Sequence, residues 1–142
     1  MAHAVALVQA WLMASVWGSV VQTHFNLQAL VSLGAEISTP LRIWTTLQDL
    51  VSFGPLYAAL VAAGWLPALS LAAWLGRRWP AARSALLATA AGAGVVATLR
   101  AVDAVAPMPV FIDATRSTAG LLGVAAGAVL ACAFYARRTR HR

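Results

Sequence analysis

Apolar residues run almost without interruption from Ala4 to about Val21, and the first break is polar without charge: Gln22, Thr23, His24, Asn26 and Gln28 within "VVQTHFNLQAL", residues 20–30. A second apolar stretch, Leu27 to Leu33, closes on Gly34. "GAEISTP" then places a helix-stopping glycine ahead of a Ser-Thr-Pro start signal, so Pro40 is expected to open a new helix. From Pro40 to Gly76 no polar cluster is long enough for a loop, yet 37 residues of helix would extend about 55 Å, well beyond a hydrocarbon core of roughly 30 Å. The excess carries its own pattern. In "PLRIWTTLQDLVSF", Arg42, Thr45, Thr46, Asp49 and Ser52 recur at intervals of three and four, with Ile43, Trp44, Leu47, Leu50 and Val51 on the other face. That spacing predicts an amphipathic helix outside the hydrocarbon, broken from the next span by Gly54-Pro55.

The remaining spans are punctuated by arginine and proline. "GRRWPAARS", residues 76–84, is a basic turn, "APMP" at 106–109 forms a short hairpin, and Asp113 is placed to cap the last helix. The predicted spans are 4–22, 55–75, 84–105 and 115–135, with a hairpin over about 23–53, a basic tail over 136–142, and Pro67 bending the second span. The expected fold is a single domain, residues 1–142: an all-α integral membrane protein with four transmembrane helices in an antiparallel bundle. An extended amphipathic helical hairpin would stand on the outer, periplasmic side between the first two spans.

Composition agrees with this pattern. Of 142 residues 61% are hydrophobic and 10% charged, against about a quarter charged in soluble domains, and the mean hydropathy is +0.78. The net charge of +6 is explained by topology rather than by nucleic acid, because the arginines mark helix ends. Arg77, Arg78 and Arg83 fall on the same side as Arg137, Arg138, Arg140 and Arg142 when the chain crosses four times. The positive-inside rule makes that side cytoplasmic, with both termini inside a bacterial inner membrane. Glu36, Asp49, Asp103 and Asp113 then lie outside with Arg42, Arg100 and Arg116. No Lys or Arg precedes the first apolar run and no cleavage site follows it, so the first helix is expected to be retained. Cys132 stands alone, which leaves no internal disulfide and no cysteine metal cluster.

Small residues are concentrated in the last two spans. Gly123 and Gly127 form a GxxxG pair continued by Ala131, with Gly120 nearby, and Gly94 lies between Ala90 and Thr98. These positions are expected to bring the last two spans into close contact with each other or with a partner. Trp74 and Trp79 flank the basic turn as an aromatic belt does, while Trp11 and Trp17 read as lipid-facing.

Chemistry is sparse by comparison. A b-type haem commonly takes two axial ligands, but His24 has no second interior histidine, and Met13 lies about 16 Å away along the same helix. A hydrolytic metal would need His24, Asp49 and Asp103 to converge from three helices. No GxSxG, P-loop, CxxC or HExxH occurs. No cofactor or metal is therefore assigned. What remains is a ligand-site candidate at the outer end: Arg42, Asp49, Arg100, Asp103, Asp113 and Arg116, with His24, Gln22 and Asn26 on its wall. Arg100 is expected to face the bundle interior, since it cannot sit in lipid without a partner. Three readings follow. The first is a non-catalytic accessory, assembly or scaffold protein working through its outer hairpin and helix packing, with a membrane-protein partner or a second copy of itself. The second is a carrier or binding protein for a small or lipidic ligand, and the third is a small membrane enzyme built on His24, Asp49 and Asp103.

Overall fold

The computed structural model describes residues 2–105 and 113–139 and is helical. Five α-helices follow in order: α1 (Ala2–Ser32), α2 (Thr39–Ser52), α3 (Gly54–Arg78), α4 (Arg83–Val105) and α5 (Thr118–Arg138). Short 3-10 turns at Pro80–Ala82 and Asp113–Arg116 precede α4 and α5. Four helices, all but α2, are long and apolar enough to cross a membrane.

Local chemistry sets each boundary. The polar stretch at Gln22–Gln28 does not interrupt α1, which runs 31 residues, or about 46 Å. It stops at Gly34, whose φ of +93° suits a residue without a Cβ. There Ala35 N–H reaches the Leu30 carbonyl at 3.1 Å and Gly34 N–H the Val31 carbonyl at 3.0 Å, the paired bonds of a Schellman cap. Ser38 caps α2 by accepting from Leu41 N–H, with Pro40 in the first turn. Between α2 and α3 the backbone scarcely leaves the helical region: Phe53 N–H still bonds Asp49 O at 2.8 Å and Tyr57 N–H bonds Phe53 O at 3.0 Å. Pro55, which has no N–H to give, makes the break. Pro67 is accommodated within α3.

The last helix begins later than expected. Asp113 opens the 3-10 turn, and the cap of α5 is Ser117, whose hydroxyl accepts from Gly120 N–H at 2.9 Å. Gly120 is required here because a Cβ would strike the Ala114 carbonyl. The expected hairpin prolines 107 and 109, and Arg140 and Arg142 of the tail, lie outside the described residues, as does the Asp113 side chain.

Helix α1 packs on α5 and α3, and α4 packs on α3 and α5. Register rises along one partner as it falls along the other. Arg138 Nη1 donates to Gln9 Oε1 at 2.8 Å, Trp17 Nε1 to the Gly123 carbonyl at 2.8 Å, and Ala114 N–H to Gln22 Oε1 at 2.7 Å. Along α3 and α4, Gly64 meets Gly94 and Gly76 meets Arg83. Small residues fill the interior: Ala10, Ala14, Ala91, Ala128, Ala131 and Cys132 are buried around Tyr57, Val61, Trp65, Val95 and Leu99. Large apolar side chains such as Leu12, Val16, Leu66, Leu71, Leu122 and Leu130 face outward, an arrangement suited to hydrocarbon rather than water.

The glycine pattern is used differently from its sequence reading. Gly94 does bring two helices close, but its partner is Gly64 of α3: a Cβ at Gly64 would stand 2.5 Å from the Gly94 carbonyl oxygen. The GxxxG pair faces α1, where the Trp17 indole lies on Gly127 and hydrogen-bonds Gly123. Trp17 is thus half outward yet anchored, and Trp11 donates to the Ala58 carbonyl of α3 at 2.9 Å; neither simply faces lipid. The contact between α4 and α5 is carried by Gly92 under Val129.

Replacing Gly64 with Leu is expected to cost about 1–3 kcal/mol or prevent assembly, because backbone cannot yield. Gly123→Ala, whose Cβ would meet only Val21 Cγ1 at 3.4 Å, should be close to neutral. Thermal unfolding of the detergent-purified variants measures both.

Candidate functional site

At the end of the molecule remote from the basic turn, α1 continues past the other helices and α2 folds back along it. Gln22 is level with Ala114 at the entry to α5, so Thr23 to Ser32 overshoots by about 15 Å. On this segment Ser19, Thr23 and Leu27, spaced by four, are buried on one face, whereas His24, Asn26 and Gln28 are exposed. The Thr23 hydroxyl lies 2.7 Å from Asp49 Oδ2 and 3.0 Å from the Ser19 carbonyl. Its single proton serves whichever acceptor is nearer in the moment, and the carboxylate is the stronger one. This contact fastens α2 to α1.

The polar face of α2 turns inward as a result. Arg42, Thr45, Thr46 and Asp49 are half-buried, with Thr46 Oγ1 donating to the Arg42 carbonyl at 2.8 Å. Ile43, Trp44, Leu47 and Val51 are exposed at 59%, 66%, 54% and 79%, and no residue of α2 is buried. A surface helix of a water-soluble domain shows the reverse orientation. The two faces assigned from sequence are present except at Leu50, which is half-buried, and Ser52, which is exposed, and the apolar face looks away from the protein.

Two of the charged residues on α4 point in different directions. Arg100 is exposed rather than interior, which corrects the expectation from its place near the end of a span. Val95 and Leu99 define the inward face of α4, and Arg100, about 100° further round, falls outside it. Its long stem can carry the guanidinium toward the polar boundary. Asp103, four residues after Leu99, does turn inward: it is half-buried, and its Oδ1 is enclosed without a hydrogen-bond partner among the described residues. Arg116 is exposed.

The His24 ring stands perpendicular to that of Phe25, with centroids 6.3 Å apart, and His24 is exposed. Among the described residues no three His, Cys, Asp or Glu side chains come together as metal ligands, so His24, Asp49 and Asp103 do not converge. Gln22 acts structurally, its amide oxygen holding the turn that leads into α5. Asn26 is exposed.

Of the residues singled out from sequence, then, Asp49 takes part in a tertiary contact through a side chain that sequence reasoning passed over, Thr23. The signal was available in the spacing Ser19, Thr23, Leu27, a stripe of consistent burial within the polar patch. Compared with protein-family models, curated proteins and solved structures, the chain matches none.

If Thr23 and Asp49 hold the hairpin, Thr23→Val and Asp49→Ala should each speed hydrogen exchange of amides 39–52 and leave α5 unchanged. Their double-mutant coupling is expected at about 1.5–3 kcal/mol, the range for a hydrogen bond to a charged group.

Proposed function

We propose that this chain is a small multi-pass protein of a bacterial inner membrane that acts without catalysis, as an accessory or assembly partner. Its four spanning helices form an antiparallel bundle with both termini cytoplasmic, and the α1–α2 hairpin stands on the periplasmic side. The opposite-running registers of the neighbouring helices support the bundle. The clustering of Arg77, Arg78, Arg83, Arg137 and Arg138 away from Glu36, Asp49 and Asp103 supports the orientation.

The observation that carries the function is the outward apolar face of α2. Ile43, Trp44, Leu47 and Val51 lie on a hairpin that overshoots the other helices, and their side chains are exposed. A contiguous apolar face at that height is costly in water and calls for a covering surface. Trp44 is the natural anchor of such a contact, being large and rigid. Covering by the periplasmic part of a membrane-protein partner fits best, because the polar face of the same helix is already engaged by α1.

Two measurements test this. A photo-crosslinking residue at Trp44 or Val51 should give protein adducts of one defined mass in native membranes, whereas Leu122 and Leu130 on α5 should give lipid adducts only. Lipid adducts alone at 44 and 51 would defeat the reading. For the orientation, Glu36→Cys should react with an impermeant maleimide on intact cells and Ala81→Cys only after lysis; the opposite pattern inverts the molecule.

A further inference from the structure

At the arginine-rich end, opposite the hairpin, α1 and α3 separate and leave a groove of about 450 Å³, within the roughly 300–1,000 Å³ of ligand pockets. Leu7, Val8 and Trp11 form one wall, and Trp65, Leu66 and Leu69 the other. The floor reaches Leu87 of α4 and Tyr135 of α5, and Arg83 closes the end.

Three features distinguish this groove from an accidental gap. Its aromatic walls are fixed, because Trp11 Nε1 donates to the Ala58 carbonyl at 2.9 Å and Trp65 Nε1 to the Ala91 carbonyl at 3.2 Å. Fixed walls lower the ordering cost of binding. Second, the lining is overwhelmingly apolar, with a guanidinium placed at one end. Third, that guanidinium is short of acceptors. Arg83 donates through Nη1 and Nη2 to the neutral Thr139 hydroxyl at 3.3 and 3.4 Å, and among the described residues no carboxylate accepts from it. Glu36, Asp49, Asp103 and Asp113 all belong to the other end of the chain's fold. Arg138, by contrast, is engaged by Gln9 and by the Phe134 ring at 5.2 Å.

We propose that the groove holds one acyl chain of an anionic phospholipid whose phosphodiester sits on Arg83. The shape accepts a chain lying along the bundle. The end charge selects a negative headgroup at the level of the basic turn, where Trp74 and Trp79 are exposed as an interfacial belt. A guanidinium offers a phosphate more than its charge, since its N–H groups match the oxygen geometry in pairs. The site is independent of the proposed docking by α2 and of which side of the membrane the arginines occupy.

The experiment is native mass spectrometry of the full chain in detergent, titrated with phosphatidylglycerol or phosphatidylcholine carrying the same acyl chains. One tightly retained phosphatidylglycerol is expected, favoured about tenfold over phosphatidylcholine. Arg83→Gln keeps the β- and γ-methylenes, the Cγ lying 3.0 Å from where a Cβ on Gly76 would stand, and should bring that preference down to about twofold or less. Ala62→Phe, which fills the groove and leaves Arg83 in place, should reduce retention of both lipids. Arg77→Gln with Arg78→Gln should change neither. Equal retention of the two lipids by the unaltered chain would overturn the proposal, as would selectivity that survives Arg83→Gln, or its loss in the Arg77/Arg78 variant. Undiminished retention in Ala62→Phe, or displacement of the lipid by millimolar inorganic phosphate, would equally remove the acyl-chain site. Circular dichroism confirms that each variant is folded, and Arg83→Lys, which retains charge, should keep most of the preference.

Discussion

Close backbone approach between α3 and α4 at Gly64 and Gly94 is the constraint on which the rest of the structure depends. Between apolar helices in hydrocarbon there is no hydrophobic drive to associate, so attraction must come from surface contact, and contact improves as side chains shrink. Gly64 and Gly94 let carbonyl lie against glycine. Around that crossing alanines fill the interior between a few large buried side chains, Val61, Trp65, Val95 and Leu99, while Leu12, Val16, Leu66, Leu71, Leu122 and Leu130 face outward. Indole N–H groups then bridge neighbouring helices by bonding to carbonyls: Trp11 to Ala58, Trp17 to Gly123 and Trp65 to Ala91. Each bond satisfies a donor that would be expensive to leave unmade in an apolar medium.

The two ends of the molecule use opposite chemistry. At the hairpin end polar side chains are turned inward, with Thr23 against Asp49, and the apolar face of α2 is offered outward. At the arginine end the apolar surface is recessed into a groove and the charge sits at its rim. One end is shaped to be covered by a broad surface and the other to admit a narrow chain. The first supports the proposed accessory role; the second supports the proposed lipid site, which does not serve as the basis of that role.

Much of the fold was legible in the residues because its signals are local. Hydropathy over some twenty residues finds the four long helices, Gly34 and Pro40 mark the turn between α1 and α2, and Gly54-Pro55 marks the next break. The candidate site was legible only in fragments. Periodicity separated the two faces of α2 except at Leu50 and Ser52, but it carries no information about which face meets α1. That choice rests on Thr23, which lies 26 residues away from Asp49. Arg100 was misplaced for a related reason: nearness to a span's end fixes a residue's height, whereas its direction follows from which neighbours, here Val95 and Leu99, meet the other helices.

The sequence by itself determined that this chain forms long apolar helices joined by short turns, with seven of its ten arginines in the basic turn and tail and all four acids, beside Arg42, Arg100 and Arg116, near the other set of ends. Those properties follow from hydrogen bonding and solvation of each segment on its own. Only the tertiary structure decided that Gly94 meets Gly64, that Trp17 occupies the GxxxG surface, that α2 turns its apolar face away, and that Arg83 closes a groove. Each of these depends on the rotation of one helix about its axis relative to another. Small side chains permit several such rotations, and the choice is made only when all the helices pack at once.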